Sequence, residues 1–200
     1  AHELDAPFCS AHGATIEKQG DLAGILAGLK PKTLFFIDEI HRLPIQAEEL
    51  LYTAMEDFSI DIIIGQGPTA RSISMPVAPF TLVGATTRLS KLSRPFLSRF
   101  GIQERLEFYD AKSLQQVILR SADIMRIGID HEGAFALAMR ARGTPRIANR
   151  LLNRVSDFAL VLGAQKVSAE LVNEALRRLD IDEHGLDRTD REFLRIIAEQ

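Results

Sequence analysis

Tryptophan is absent from the 200 residues, cysteine occurs once and tyrosine twice. A single cysteine, Cys9, cannot close an internal disulfide, so packing alone must hold the core, which suits a reducing cytosol. Long apolar runs are missing as well. No stretch nears the roughly 20 residues that a membrane helix needs, so no membrane partner is expected. The opening AHELDAPF lacks the basic, apolar and small-residue order of a signal peptide. It also lacks an initiator methionine, and the chain reads as a fragment. There is no surplus of positive charge: the net charge is -3, which speaks against a broad nucleic-acid-binding face but leaves room for a local basic patch. His2, His12, His131 and His184 show no metal-ligand spacing, and no Ser-His-Asp or Cys-His pattern is visible. No G-x-x-x-x-G-K-S/T loop occurs, and no glycine is followed by lysine, so the usual backbone cradle for phosphate is lacking.

What is present is 46% hydrophobic and 26% charged, ample for the core of one large domain or two small ones. The first half alternates short apolar runs with helical patterns, the rhythm of an α/β sheet covered by helices. Candidate strands are TLFFI (33–37), IDIII (60–64), RSISM (71–75), FTLVG (80–84) and RLEF (105–108), of which TLFFI and FTLVG are apolar throughout, as strands buried on both faces are. In AEELLYTAMEDF (47–58), Leu50, Leu51, Ala54, Met55 and Phe58 share one helical stripe and belong to the core. Beyond Asp110 the strand signals stop. Helices are expected from Ser113 to Arg126 and from Glu132 to Arg140. A third starts at Gly143-Thr-Pro-Arg146 and stops at Gly163, and a fourth is capped by Ser168. Thr189-Asp-Arg-Glu192 reads as a capping box opening one more helix. The organisation expected is a large domain over 1–110 with an inserted hairpin at about 60–75, a helical lid over 111–182, and from 183 to 200 a linker and the start of a third domain.

The chemistry concentrates in LFFIDEIHRL (34–43), an apolar strand that runs into two adjacent carboxylates. In open parallel sheets ligands lie beyond the carboxyl ends of the strands. An aspartate there, Asp38, suits hydrated magnesium, which needs only one or two carboxylates. Glu39, pointing to the other side of the strand, is placed to polarise a water for in-line attack on a γ-phosphate; a plain strand ending in a turn is the alternative. FTLVGATTR (80–88) is a second strand ending in hydroxyl residues. Ser93-Arg-Pro-Phe-Leu-Ser-Arg99-Phe-Gly101 is a basic segment between strands whose arginines have no acidic partner nearby in sequence, and an arginine fork suits phosphate. Arg146 falls in the first turn of a lid helix. His41 is expected to be a hydrogen-bonded histidine at a helix start, with a relay of nucleotide state to the hairpin as the alternative.

In this order and spacing the four segments resemble the Walker B, sensor 1, arginine-finger and sensor 2 elements of AAA+ ATPases. DEIHRL, IIIGQGPTARSI, PFTLVGATTR, SRFGIQERLEFY and ARGTPRIANRLLNRV together resemble the RuvB family of bacterial Holliday-junction branch-migration motors, over essentially the whole chain. That resemblance implies an AAA+ P-loop NTPase core with a parallel sheet, its N-terminal part with Walker A missing, followed by an all-α lid. It implies a cytoplasmic homo-hexamer that uses ATP and Mg2+, moves DNA through recombination junctions, and works with RuvA and, in the larger complex, RuvC. Asp38 would be the magnesium partner, Glu39 the base, Thr87 with Thr86 beside it sensor 1, Arg99 the finger acting on a neighbouring subunit, and Arg146 the sensor 2 arginine. Glu56, Asp57, Phe58 and Tyr109 would approach the nucleotide. Phe58 and Tyr109 could equally be core aromatics.

Two departures from the family stand out. Its finger segment reads Pro-Leu-Arg-Asp-Arg-Phe-Gly, whereas here Leu97 replaces the first arginine and another arginine stands at Arg94. The phosphate cradle is also missing, and because AHELDAPF resembles the family's segment just after the cradle helix, truncation is the expected cause. The fragment alone is expected not to hydrolyse ATP, and the family's DNA-reading winged helix would lie beyond Gln200. The hairpin over 60–75 would dock on RuvA through Ile62, Ile63, Ile64 and Ile73. Other AAA+ assembly ATPases, of the clamp-loader or replication-initiator type, share the acids and arginines but not the IGQGPTARSI hairpin. A non-catalytic nucleotide-sensing scaffold is the remaining alternative.

Overall fold

The computed structural model describes residues 2–64 and 71–199, with residues 63, 64 and 71 described by backbone alone. The loop over 65–70 lies outside the described residues. Two compact units divide between Glu104 and Arg105.

In unit 1 a three-stranded parallel sheet is built from β1 (Phe8–His12), β2 (Thr33–Asp38) and β5 (Phe80–Gly84), with β2 in the centre. The connection from β1 to β2 carries α1 (Gln19–Ala27), the helical crossover that parallel neighbours require. Thr33, Phe35 and Ile37 point into the core, and Phe35 meets Phe80 edge-on at 6.3 Å between ring centroids. α2 (Ile45–Asp57) starts just after Pro44 and buries Ala47, Leu50, Leu51 and Ala54, the spacing of a helix laid on a sheet. β3 (Ser59–Ile64) and β4 (Arg71–Pro76) form a separate antiparallel pair, in register Ile60 with Met75 and Ile62 with Ile73. Four-residue α3 (Arg94–Leu97) is capped by Ser93, whose hydroxyl accepts from the Phe96 amide.

Among the described residues the helices of unit 2 are α4 (Ala111–Met125), α5 (His131–Arg140), α6 (Pro145–Val161), α7 (Ala169–Arg178) and α8 (Arg188–Ala198), with one isolated bridge between Ile129 and Val167. Its core joins Leu114, Ile118, Leu137, Leu151, Leu152, Val155 and Leu176. Each start has a local cause. Asp110, Asp130 and Ser168 accept backbone amides at the starts of α4, α5 and α7, Pro145 occupies the first turn of α6, and Gly163 at φ +68 follows its end.

Several expectations are corrected. RLEF (105–108) is not a strand: no strand lies alongside to pair its backbone among the described residues, and Leu106 and Phe108 stand open at 95% and 82% exposure. β5 is not buried on both faces, since Thr81 and Val83 are exposed and β5 pairs with β2 alone among the described residues. Phe58 leaves the buried stripe of α2 because the helix ends at Asp57, and Phe58 takes a left-handed conformation at φ 47. The capping box of α8 sits two residues earlier than Thr189. Asp187 accepts the Asp190 amide and Asp190 accepts the Asp187 amide in return, so the reciprocal pair forms at this earlier position. β1 and α1 had no counterpart among the expected elements.

Candidate active site

At the carboxyl end of β2 the apolar run stops and Asp38 emerges exposed, opposite His12 of β1. The next residue, Glu39, leaves the strand in a left-handed conformation, φ 50 and ψ 45, so the expected simple alternation of side chains across the strand ends at Asp38. Such a conformation costs a non-glycine residue roughly 1–3 kcal/mol and persists where the surroundings impose it. Here they do. The Glu39 amide donates to Asp38 Oδ1 over 3.0 Å, and the next amide, of buried Ile40, donates to the Ala85 carbonyl over 3.0 Å. The Ala85 amide in turn donates to the Ile37 carbonyl over 2.9 Å, tying the end of β5 to the end of β2. Gly84 allows the approach, because a Cβ there would lie 2.9 Å from Ile40 Cδ1.

That tie delivers Thr86 and Thr87 to the acid. The Thr87 hydroxyl lies 3.5 Å from Glu39 Oε1, a long contact, while His41 Nε2 lies 3.2 Å from Glu39 Oε2. His41 Nδ1 is 2.9 Å from Thr86 Oγ1. Glu39, His41, Arg42, Thr87, Arg88 and Lys91 line a polar hollow of about 520 Å3. Three cations around one acid favour an anionic occupant, and the strand-end carboxylates supply the hard oxygen ligands that magnesium takes. Asp38, exposed and bonded through one oxygen to the neighbouring amide, fits such an ion in donor chemistry.

Arg99 follows α3. Its guanidinium stacks over the Tyr52 ring at 4.6 Å from the centroid and bonds both the Tyr52 hydroxyl and the Glu56 carboxylate. The hydrogen bond to Tyr52, then the pairing with Glu56, holds its proton more tightly than usual. The acidic partner missing from the local sequence is thus supplied from α2. Tyr52 was not anticipated, although its spacing of four from Glu56 puts both on one helix face. Asp57 is exposed, and Phe58 packs edge-on against Phe80 at 6.5 Å. Leu97 packs against the core, while Arg94 is exposed.

Within unit 2 the Tyr109 amide donates to the Gly143 carbonyl over 2.9 Å, which places Tyr109 beside the start of α6, where Arg146 is exposed in the first turn. Gly143 sits at φ +71, and a Cβ there would meet the Phe108 side chain at 2.7 Å, so glycine is required twice over. On the β3–β4 pair, Ile73 is 46% exposed opposite half-buried Ile62. The side chains of Ile63 and Ile64 lie outside the described residues. Among the described residues no helix is long and apolar enough to cross a membrane.

Two family profiles match nearly the whole chain: the Holliday junction DNA helicase RuvB P-loop domain over residues 1–106 and the RuvB AAA lid domain over residues 109–182. The chain is 51% identical over 199 residues to the Holliday junction branch migration complex subunit RuvB of Lawsonia intracellularis (strain PHE/MN1-00), an alignment covering 100% of this chain and 58% of that protein. It is 53% identical to the subunit of the same name from Ligilactobacillus salivarius (strain UCC118), covering 100% of this chain and 59% of the relative. The solved structure of the Thermotoga maritima RuvB Holliday junction branch migration motor superposes with a TM-score of 0.85 at 44% identity, covering 100% of this chain and 62% of that one. The chain thus spans about three fifths of the length of the relatives it matches.

Proposed function

The chain belongs to the RuvB family, with a AAA+ P-loop core in unit 1 and the family's helical lid in unit 2, and on that premise we propose that the protein carrying it is an ATP-driven motor for Holliday-junction branch migration. The observation that supports this reading best is the Glu39 carboxylate, held between Thr87 and His41 beside Asp38 at the rim of a cation-lined hollow.

In this reading the hollow takes the triphosphate, with Arg42, Arg88 and Lys91 offsetting its charge. Asp38 would hold Mg2+, which when bound supplies positive charge to offset that of the phosphate oxygens. Glu39 orients a water and accepts its proton, and Thr87 hydrogen-bonds the water or the γ-phosphate from the neighbouring strand end. Glu56, Asp57, Phe58, Tyr109 and Arg146 are the remaining nucleotide-contacting residues of this reading. Arg99 reaches a neighbouring subunit's nucleotide, where its fork stabilises charge as the phosphoryl group transfers. The working protein is a cytoplasmic homo-hexamer that acts on DNA in recombination, repair and the SOS response. Partners are RuvA, docked through Ile62, Ile63, Ile64 and Ile73, and RuvC in the larger complex. The division of the chain is an ATPase domain over 1–110, a lid over 111–182 and the start of a third domain over 183–200.

The test uses full-length protein. Glu39→Gln is expected to bind ATP normally and to lose about 10²–10⁴-fold in turnover, the usual worth of a positioned base. Mixing Asp38→Asn with Arg99→Ala subunits is expected to restore part of the activity, because each supplies what its neighbour lacks. Normal turnover by Glu39→Gln, or no restoration at any mixing ratio, would remove the base and the shared site respectively.

A further inference from the structure

His41 touches the base in this scheme but is given no role of its own. It sits two residues past Glu39 with its side chain only 5% exposed, and both ring nitrogens contact side chains of the site rather than backbone or solvent. The Thr86 hydroxyl also accepts the Arg88 amide over 3.0 Å. His41 Nδ1 lies 2.9 Å from Thr86 Oγ1 and Nε2 lies 3.2 Å from Glu39 Oε2, so the ring joins the two side chains.

We infer that His41 is a positioning residue for ATP hydrolysis: a chain of contacts from the Arg88 amide through Thr86 and His41 braces the Glu39 carboxylate from the segment that follows β5. This rests on Glu39 acting as the base proposed above. The two ends of the chain lie just beyond different strands. Thr86 follows β5 and adjoins Thr87, the residue aimed at the γ-phosphate, while Glu39 follows β2, and His41 bridges a separation of 45 residues in sequence between itself and Thr86. His41 stands 3.2 Å from one carboxylate oxygen, and the Thr87 hydroxyl stands 3.5 Å from the other, so the two flank the group. Any shift of the Thr86–Thr87 segment on meeting a phosphate moves the imidazole and hence the base.

Steady-state ATP hydrolysis by the full-length protein with DNA tests this through His41→Ala, His41→Gln and Thr86→Val, with Glu39→Gln as reference and a fluorescent ATP analogue reporting binding and folding. His41→Ala is expected to lower kcat about tenfold, the size of a lost hydrogen bond to the base, with KM for ATP within about twofold. His41→Gln places an amide N–H near the position of Nε2 and is expected to restore kcat to within about threefold of the unaltered protein. Thr86→Val keeps the shape, removes the partner of Nδ1 and is expected to fall between the two. Unchanged kcat in His41→Ala, equal losses in the Ala and Gln variants, or a loss expressed in KM alone overturns the inference. Should His41→Ala fail to bind the analogue, the Gln and Val variants decide by the same criteria. If Glu39→Gln itself turns over normally, the base assignment has failed rather than the role of His41.

Discussion

One methyl group at Gly13 tests whether packing imposes the Glu39 backbone. Gly13 is buried in the turn that follows β1, and an added Cβ would fall inside van der Waals contact with the Glu39 carbonyl oxygen, 3.1 Å from its carbonyl carbon and 3.4 Å from the Asp38 carbonyl oxygen. All of these neighbours are backbone, so no side chain can rotate aside. The peptide they belong to is already held on its other side by the Ile40–Ala85 hydrogen bond. Gly13→Ala is therefore expected to destabilise unit 1 by about 1–3 kcal/mol, the usual penalty of overpacking, and each kcal/mol lowers the Tm of a unit this size by roughly 4–8 °C. The comparison is Gly24→Ala in α1, where an added Cβ meets nothing within 4 Å. That helix-interior change should raise stability by about 0.5–1 kcal/mol. Thermal melts followed by circular dichroism read both signs. ATP hydrolysis by the full-length Gly13→Ala protein, measured well below its Tm, should fall as well, because the methyl displaces Glu39 itself. If Gly13→Ala melts at or above the parent temperature, the Glu39 backbone is not fixed by this contact.

Ile73→Asp puts a charge on a half-open position of the β3–β4 pair and should abolish binding to the partner that docks there while leaving the Tm within a degree or two, about the shift of an exposed substitution; pull-down with RuvA and a melt check the two halves. Asp110 caps α4, and the Ser113 amide, donating over 2.7 Å, holds its carboxyl below the usual range. A depressed folded value means that this contribution is complete above the unfolded pKa of about 3.9 and disappears as pH falls through the lower folded one. Asp110→Ala should accordingly lower stability at neutral pH and flatten the acid limb of a stability–pH curve. An unchanged acid limb would count against the cap.

The parts of this fold visible in sequence are those whose cause is local. β2 was visible because TLFFI carries three core residues on one face and half-buried ones on the other. The Ser168 cap is read from a single residue before an apolar period, whereas the caps at Asp110 and Asp130 were not anticipated, and Asp187 was missed because Thr189 with Glu192 matches the commoner pattern. β1 escaped because Ser10 and His12 break its apolar run, and α1 because Gly20 and Gly24 dilute its helical signal. RLEF shows the reverse failure: alternation without a pairing partner makes no strand. In the site, Asp38 and Glu39 were legible from a strand meeting acids. Arg99 was legible as a phosphate-type arginine, but its clamp was not, because Tyr52 and Glu56 lie 47 and 43 residues away. Distances of that kind enter only when the sheet brings its strand ends together.

The strain at Glu39 gives a last means of separating stability from function. Side chains with a Cβ resist the left-handed region, and glycine does not. An acid kept there is consistent with a demand other than folding, since relief was one substitution away. Glu39→Gln retains the strain and still offers an oxygen to His41, whereas Glu39→Gly removes strain and side chain together. The Gly variant should therefore melt above the Gln variant, by an amount near ~1 kcal/mol once glycine's greater unfolded-state freedom is offset. Both should bind nucleotide and neither should hydrolyse it. A Gly variant less stable than Gln would mean that the carboxylate's bonds to Thr87 and His41 outweigh the backbone cost, and Glu39 would then be a structural anchor first.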